Sequence, residues 1–470
     1  MLSPAEVVNH VTVGERKARG KAARRELPRA EHAAWVPPPD RGDPVELLEK
    51  QATTRVPELV PIRYGRMLVS PFTFYRGAAY LMASDLASVP RTALDVQLCG
   101  DAHLSNFGVY AAPARRLVFD LNDFDETLPG PFEWDLKRLV ASFAVAGRDR
   151  GFAPEQRASV NRTVSSAYRE TMRGYAEMRN LDVWYSRVNV DDVVQRVVAV
   201  ASAKQLSRFE KNLAKARSKD SLRAFEKLTQ LVDGELRIVS DPPVIVPIRE
   251  LVSAEHHEAL DDALRVVMRA YRGTLSEDRR RLLERFRHVD AARKVVGVGS
   301  VGTRAWIMLL LGRDDQDPLI LQFKEAEASV LEPFLGESAF ENHGQRVVEG
   351  QRMTQGASDM MLGWLRTSGV DGVERDYYVR QLWDGKGSAL VELMNPKALA
   401  FYADLCGRTL ARAHARSGDP VAISSYLGKG DDMDVALARF AEAYADQNDR
   451  DYATMHGAVD DGRVVAETGV

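Results

Sequence analysis

The chain has little of what defines several large classes of proteins. It carries two cysteines, Cys99 and Cys406, in 470 residues, which excludes a disulfide framework and fits a reducing compartment. Its longest apolar run, AWIMLLL at 305–311, is far shorter than the roughly 20 residues that cross a bilayer. No apolar segment follows Met1, so no secretory signal is visible. We therefore expect a cytoplasmic protein that does not span a membrane.

A strong excess of charge of one sign is also missing. The formal net charge is −3, so no global property favours a nucleic-acid partner. Basic residues nevertheless concentrate near the start of the chain, at Lys17, Arg19, Lys21, Arg24, Arg25 and Arg29. A proline-rich stretch, WVPPPDRGDP, follows them. We expect residues 1–60 to form a basic, largely extended N-terminal arm, which either is solvated or folds over an anionic ligand.

The composition that is present is typical of a globular protein with several structural units. Hydrophobic residues make up 45% and charged residues 28%, enough for a sizeable core. Apolar periodicity predicts a helix-rich lobe over 61–290 that also contains two short strands. A strand-rich lobe follows over 291–395, and residues 396–470 form a helical return with a loose tail. The predicted fold class is α+β.

Two polar loops stand where the predicted strands of the first lobe end. The stretch CGDAHLSNFG contains Asp101, His103 and Asn106, and NDFDE contains Asp123 and Asp125. A carboxylate accepts a proton from a hydroxyl group, and carboxylate and amide oxygens bind Mg²⁺. The spacing from Asp101 to Asn106 is the one that protein kinases use in their catalytic loop. The alternative is a loop whose side chains satisfy its own backbone groups.

These residues carry a resemblance to a known superfamily. GDAHLSN followed by NDFDETLPGPFEWDLKRL resembles the aminoglycoside and choline phosphotransferase branch of the protein-kinase-like superfamily. The resemblance implies that Asp101 is the catalytic base, with His103 in the same motif. It also implies that Asn106, Asp123 and Asp125 bind the metal. One departure is Cys99, which stands where that branch has a histidine.

The chain as a whole resembles an uncharacterised bacterial family, domain of unknown function 2252. The stretches typical of it are LVPIRYGRMLVSPFTFYRGAA, CGDAHLSNFG, VVGVGSVGTRAW and YYVRQLWDGKGS. That resemblance covers nearly the full length and implies no settled activity.

A glycine-rich loop in the second lobe predicts a nucleotide site. GVGSVG, with Gly297, Gly299, Ser300 and Gly302, is followed by a strand rather than a helix, which disfavours a dinucleotide-binding turn. Lys324 lies on the next strand, where kinases place the lysine that contacts phosphates and a helix glutamate. Glu349 is the preferred glutamate, with Glu341 and Glu337 as alternatives. The competing interpretations are a lysine that reaches solvent and an exposed helix charge.

The order of these segments is rotated relative to an ordinary kinase. The glycine loop and lysine follow the catalytic loop instead of preceding it, and Gln381 and Leu382 lie on a strand resembling the hinge that meets adenine. Catalysis depends on where side chains lie in space, and catalytic triads occur in several chain orders. We therefore predict a bilobal protein-kinase-like fold that is circularly permuted.

The predicted function is Mg²⁺- and ATP-dependent phosphoryl transfer to a hydroxyl group of a small molecule. The stretch between Asp123 and Asp135 is too short to hold a peptide substrate. The helical block 150–290 is the expected acceptor site, lined by DVWYSRVNV. Arg63, Arg66 and Arg76 are candidates for clamping a phosphate or carboxylate, unless they form structural ion pairs.

Three other functions fit parts of the pattern. A kinase-like protein can bind nucleotide without turnover, or transfer AMP instead of a phosphoryl group. GDAH also matches the start of a metallophosphoesterase motif, although the further histidine motifs of that class are missing.

Overall fold

The computed structural model describes residues 10–200, 206–207, 210–211, 213–214, 221–253, 255, 257–295, 297, 299, 301–369, 371–382 and 387–469. Ser300 of the predicted glycine loop lies outside the described residues. The fold class is mixed α+β, as predicted, with a large helical body and one six-stranded antiparallel sheet. Within the described ranges, no helix combines the length and the hydropathy needed to cross a bilayer.

The N-terminal segment is helical and packed, which corrects the expectation of an extended arm. Its helices are α1 (Val13–Glu26), α2 (Pro44–Ala52), α3 (Val60–Met67), α4 (Pro71–Gly77) and α5 (Ala79–Ala87). Thr12 and Glu15 form a capping box that starts α1. Gly20 lets α1 pack closely, because a Cβ there would lie 2.0 Å from the Ala422 carbonyl oxygen. The basic residues therefore lie on a docked helix.

The first lobe places both polar loops at one edge. Its strands are β1 (Asp95–Leu98), β2 (Phe107–Ala111), β3 (Leu117–Leu121), β4 (Leu128–Pro131) and β5 (Val188–Asn189). Its helices are α6 (Phe132–Asp149), α7 (Pro154–Glu177), α8 (Asn180–Tyr185) and α9 (Val190–Val200). Strand β1 pairs with β4, and β2 pairs with β3. The loop after β1 and the loop after β3 therefore lie side by side.

The second lobe is built on the six-stranded sheet and extends further towards the N-terminus than predicted. Its elements before the glycine loop are α10 (Ser221–Leu228), β6 (Thr229–Val232), β7 (Glu235–Ile238), β8 (Ile245–Pro247), α11 (His257–Gly273), α12 (Glu277–Leu283) and β9 (Arg287–Lys294). Strand β8 joins the sheet beside β9, and Ile238 and Ile245 pack with Ile307 in one core cluster. Residues from 221 onwards therefore belong with the sheet rather than with the first lobe.

The remaining elements of this lobe follow the glycine loop. They are β10 (Ala305–Leu311), β11 (Pro318–Ala326), α13 (Glu332–Leu335), α14 (His343–Thr354), β12 (Gly363–Ser368) and β13 (Glu374–Gln381). The strand order is β12-β13-β11-β10-β9-β8. Every residue of β11 is buried, as expected of a central strand covered on both faces.

The C-terminal helices complete the first lobe. Strand β14 (Gly387–Ser388) pairs with β2, and α15 (Pro396–Ser417), α16 (Pro420–Leu427) and α17 (Asp432–Asp460) then pack on α6 and α7. The tail is docked, although a loose tail was predicted. Val464 is buried, and the Glu467 backbone N–H donates to the Pro61 carbonyl across 2.8 Å.

Candidate active site

The predicted loops of the two lobes meet around one cavity of about 650 Å³. Seven of the predicted site residues line it: Asp101, His103, Asn106, Asp123, Asp125, Gly297 and Gly299. Helices α2, α4 and α5 and the segment that follows β11 form the rest of its wall. Segments almost two hundred residues apart in the chain therefore enclose a single space.

The loop after β1 is held from behind by the first turn of α6. The Asp135 carboxylate accepts hydrogen bonds from the backbone N–H groups of Cys99 (2.7 Å) and Gly100 (3.0 Å). Gly100 adopts a φ of 85°, and a Cβ at this position would lie 2.2 Å from the Glu126 carbonyl oxygen. The loop conformation thus depends on a glycine and on a buried carboxylate, and it carries Asp101 to the cavity wall.

Asp101 is positioned by a buried arginine. Arg138 Nη2 lies 2.8 Å from Asp101 Oδ1, and the Asp101 side chain keeps 20% of its exposure. Burial raises the pKa of Asp101 even though the positive charges of Arg138 and Arg76 act in the opposite direction. A carboxylate with a raised pKa is a stronger proton acceptor, so this environment suits a general base.

His103 is a neutral neighbour of this carboxylate. Burial lowers its pKa well below the usual range, and the charges of Arg76 and Arg138 add to the effect. Its Nδ1 accepts a hydrogen bond from the Ser105 backbone N–H at 3.2 Å, which leaves the ring proton on Nε2. Nε2 lies 3.7 Å from Asp101 Oδ2, so the ring faces the base without contributing a charge.

Lys324 is not among the residues that line the cavity, but it contacts the other polar loop. Its ammonium group forms an ion pair with Asp125, and the Tyr378 hydroxyl donates to Asp125 Oδ1 across 2.8 Å. Burial opposes ionisation of Asp125, but the Lys324 charge together with the hydrogen bonds from Lys324 and Tyr378 outweighs it and lowers the pKa of the carboxyl. Strand β11 of the second lobe is thereby joined to the hairpin loop of the first lobe.

The ion pair of Glu349 lies within its own helix. Its carboxylate accepts a hydrogen bond from Arg352 Nη1 at 3.0 Å on the same helix. Helix α14 instead turns Arg346 and Gly350 towards the hairpin, and a Cβ on Gly350 would lie 2.4 Å from the Thr127 side chain. Asp125 is the carboxylate that forms the ion pair with Lys324. The two alternatives differ, since Glu337 lines the cavity and Glu341 is exposed.

The glycine loop is anchored to the N-terminal segment. Gly302 has a φ of 93°, and its carbonyl accepts a hydrogen bond from the Val56 N–H at 2.8 Å. Arg55 Nη1 donates to the Val301 carbonyl across 2.6 Å. Among the described glycines of the loop, Gly297 and Gly299 line the cavity, while Gly302 lies at the turn.

The two predicted hinge residues lie at the end of β13. The Gln381 backbone N–H donates to the Asp359 carboxylate, and that of Leu382 donates to the Ile320 carbonyl at 2.9 Å. Neither residue lines the cavity described above. Shortly afterwards β14 pairs with β2, so this is where the chain passes from one sheet to the other.

The three predicted magnesium ligands, Asn106, Asp123 and Asp125, are not equally well placed to bind a metal ion. Asn106 Nδ2 donates to the Asp101 carbonyl at 2.6 Å, which leaves its amide oxygen as the accepting end. Asp123 lines the cavity, and its Oδ1 accepts the Asp125 N–H at 3.3 Å. Asp125 is engaged by Lys324. Asp123 and Asn106 are therefore the better placed ligands.

A metal held by protein side chains alone does not fit. In the part of the chain that the structure describes, no group of three or more His, Cys, Asp or Glu side chains is arranged to hold a metal ion. Mg²⁺ commonly binds through one or two carboxylates together with substrate phosphates, and Asp123 with Asn106 matches that donor set.

Several residues of the site were not predicted from the sequence: Arg55, Glu126, Arg138 and Tyr378. Arg138 follows Asp135 by three positions on the same helix face, which is a usable signal once α6 is recognised. Tyr378 is found only through the β11–β13 register, in which it lies opposite Lys324. Burial raises the pKa of Glu126 to about 7.

None of the residues 182–190, which were expected to line the acceptor site, lines this cavity. Trp184 and Tyr185 are 46% and 70% exposed, and the Trp184 ring stacks with the guanidinium group of Arg416 at 3.9 Å. Neither lines the cavity, whose outer wall comes from the N-terminal helices.

Comparison with known families places the chain in a conserved bacterial family. A family model described as an uncharacterised protein conserved in bacteria, DUF2252, matches residues 55–458. The chain belongs to this family. The DUF2252 match includes both polar loops and the six-stranded sheet, while α1 and α2 precede it. No curated protein and no solved structure matches the chain.

Proposed function

We propose that this DUF2252 protein is a magnesium-dependent phosphotransferase that uses ATP and acts on a hydroxyl group of a small molecule. The observation that carries the proposal is the ion pair between Lys324 and Asp125. It joins the lysine strand of one lobe to the loop that carries Asp123 and Asp125, which would bring both segments to the same nucleotide. Asp125 and Asp101 line the same cavity, where Asp101 would serve as the general base.

The order of the elements supports a circularly permuted kinase-like fold as part of this proposal. From β9 the chain runs through the glycine loop, β10, the lysine strand β11, helix α14, β12 and the hinge strand β13. An ordinary kinase passes through the same types of element before it reaches its catalytic loop. Here the catalytic loop comes first in the chain, and β14 returns to it by pairing with β2.

The residues at the cavity divide the chemical tasks. ATP would supply the phosphoryl group, and Mg²⁺ bound to Asp123 and Asn106 would neutralise phosphate charge. Asp101 accepts the proton of the acceptor hydroxyl, and Arg138 holds the carboxylate in place. Because His103 is neutral, it adds no further positive charge beside Asp101, which preserves the affinity of the Asp101 carboxylate for a proton.

The size of the acceptor is limited by the segment that follows Asp123. Residues 128–131 form β4, which pairs with β1, and α6 starts immediately afterwards. No long loop remains between Asp123 and Asp135 to hold an extended peptide, so a small-molecule acceptor fits the cavity better.

Nucleotide binding is the first test. We expect the melting temperature of the full chain to rise when Mg²⁺ and a non-hydrolysable ATP analogue are added together. The rise should be smaller with either alone, because phosphate oxygens complete the metal site. Asp123→Asn should reduce the magnesium-dependent part, whereas Asp182→Asn, on exposed helix α8, should leave it unchanged. Absence of any shift in the unaltered protein would contradict the proposal.

Catalytic turnover is tested by measuring the slow hydrolysis of ATP, in which water takes the place of the acceptor hydroxyl. Asp101→Asn should lower the rate of phosphate release from ATP by about 100-fold, since general-base catalysis contributes roughly that factor or more. The affinity for the nucleotide should stay within about threefold, because Asp101 faces the acceptor. Release of pyrophosphate instead of phosphate would identify AMP transfer and contradict phosphoryl transfer.

A further inference from the structure

Three arginines of the N-terminal helices form one wall of the site, here called the arginine wall: Arg55, Arg63 and Arg76. Arg55 and Arg63 are 7% and 0% exposed, and Arg76 is partly buried. Arg55 and Arg76 line the cavity directly. Arg63 lies behind them and donates from Nη2 to Gln51 Oε1 (2.7 Å) and to the Gly77 carbonyl (3.1 Å).

Carboxylates near the arginine wall, among them Glu126 and Asp101, act on it from a distance without forming direct ion pairs with it. Among the described residues, none of its members forms a salt bridge, and the Nε atom of each is buried without a hydrogen-bond partner. Arg55 donates one N–H to a backbone carbonyl, and Arg76 makes no hydrogen bond to any described residue. Burial of guanidinium groups without direct ion pairs is costly. Such a cluster is stabilised when an anion binds.

The position of Arg76 indicates which part of the reaction this anion belongs to. Its guanidinium group interacts electrostatically with Asp101 most strongly and with Asp123 next, so it lies near the proposed base and also near a proposed metal ligand. An anion on Arg76 would therefore lie close to Asp101, together with any hydroxyl group attached to the same molecule.

We propose that the arginine wall binds an anionic group, a phosphate monoester or a carboxylate, of the acceptor. The acceptor is then an acidic hydroxyl compound rather than a neutral sugar or an amine. Guanidinium groups suit this task because their planar N–H pairs match phosphate and carboxylate oxygens. The inference rests on the proposed function and adds the charge of the substrate to it.

The test uses the full chain saturated with Mg²⁺ and a non-hydrolysable ATP analogue that fills the triphosphate site. Inorganic phosphate and acetate are titrated into this complex by calorimetry, as probes of the two anion chemistries. We expect at least one of them to bind. Its affinity should fall about tenfold or more in Arg76→Gln, which removes a partly buried and unpaired cation. Arg179→Gln removes an exposed charge at the start of α8 and should change the affinity for the anion less than twofold.

The nucleotide affinity separates the two proposals. Retained binding of the ATP analogue by Arg76→Gln, with loss of anion binding, supports the inference. Failure of both probes to bind the nucleotide-loaded protein, or equal binding by Arg76→Gln, would overturn it and leave the phosphotransferase proposal standing. Loss of nucleotide affinity in Arg76→Gln would assign the arginine to the triphosphate and also overturn the inference. Arg55→Gln serves as a second variant, with its melting temperature measured first because Arg55 is buried.

Discussion

At the scale of single residues, the site is organised by a few buried charges, each with a defined partner. Lys324 pairs with Asp125, Arg138 with Asp101, and the backbone at Gly100 with Asp135. A buried charge whose partner is removed is strongly destabilising, so these residues act as pairs rather than singly. Stability measurements can therefore test the geometry without knowledge of the substrate.

The Lys324–Asp125 pair can be tested by a double-mutant cycle. Lys324→Met should lower the free energy of unfolding by about 3 kcal/mol, because Asp125 is left as a buried carboxylate without its counter-ion. In Lys324→Met/Asp125→Asn the total loss should be smaller than the sum of the two single losses. Urea denaturation gives all four values, and strictly additive losses would show that the two side chains do not interact.

Glu126 predicts a dependence of stability on pH. Burial raises the pKa of its carboxyl from 4.5 to about 7, so the folded protein holds a proton that the unfolded chain releases. The stabilisation is complete below pH 4.5 and is lost as the pH rises through about 7. Relative to Glu126→Gln, the unaltered protein should lose about 2 to 3 kcal/mol over this interval. Denaturation curves of both proteins across this range would measure it, and parallel curves would contradict it.

At the scale of elements, helices from distant parts of the chain support the loop that carries Asp101. His414 on α15 lies with Nε2 3.2 Å from Asp135 Oδ2, and its Nδ1 is 2.8 Å from the Tyr168 hydroxyl on α7. The Tyr402 hydroxyl, also on α15, donates to the Leu104 carbonyl at 2.7 Å. The loop that carries Asp101 is thus fixed by three helices.

Asp135→Asn tests this support. The amide cannot accept both backbone N–H groups as strongly as the carboxylate does, so we expect a loss of about 2 kcal/mol in the free energy of unfolding. Phosphate release from ATP should slow while the affinity for the nucleotide changes little, because Asp101 is displaced and the glycine loop is not. Asp182→Asn is the control, and an unchanged rate would mean that Asp135 does not position the base.

The sequence allowed the loops to be located, and the contacts between the lobes decided the rest. Asp101, Asn106 and Asp123 follow from short motifs whose spacing reflects one local loop. The partner of Lys324 could not be derived in this way, because it lies on a loop of the other lobe, 199 residues away in the chain. The N-terminal arm and the tail were expected to be loose because their own patterns are weak. Their order comes from partners far along the chain, such as Ala422 for Gly20.

At the scale of the whole molecule, the last residues of the chain pack against the N-terminal helices. Val464 is buried in one cluster with Tyr64 and Met67 of α3, and Glu467 hydrogen-bonds Pro61. Helix α3 also carries Arg63 of the arginine wall. The tail therefore contributes to the framework on which one wall of the cavity is built.

Truncation after Asp461 tests this contribution. Loss of the buried Val464 side chain should lower the free energy of unfolding by about 2 kcal/mol. Urea denaturation of the truncated and full chains measures the difference, and Val465→Ala is a matched control because Val465 is 69% exposed. Equal stability of truncated and full chains would show that the tail is not docked in solution.

The contacts of α15 with the β2–β3 hairpin also have a consequence for biosynthesis. Arg412 forms a buried ion pair with Asp120, and Tyr402 and His414 reach the neighbouring loop and helix. A ribosome translating this message releases the hairpin long before it has made α15. The first lobe of the nascent chain therefore cannot complete its packing until α15 has emerged, and its apolar surface stays exposed until nearly the entire polypeptide has been made.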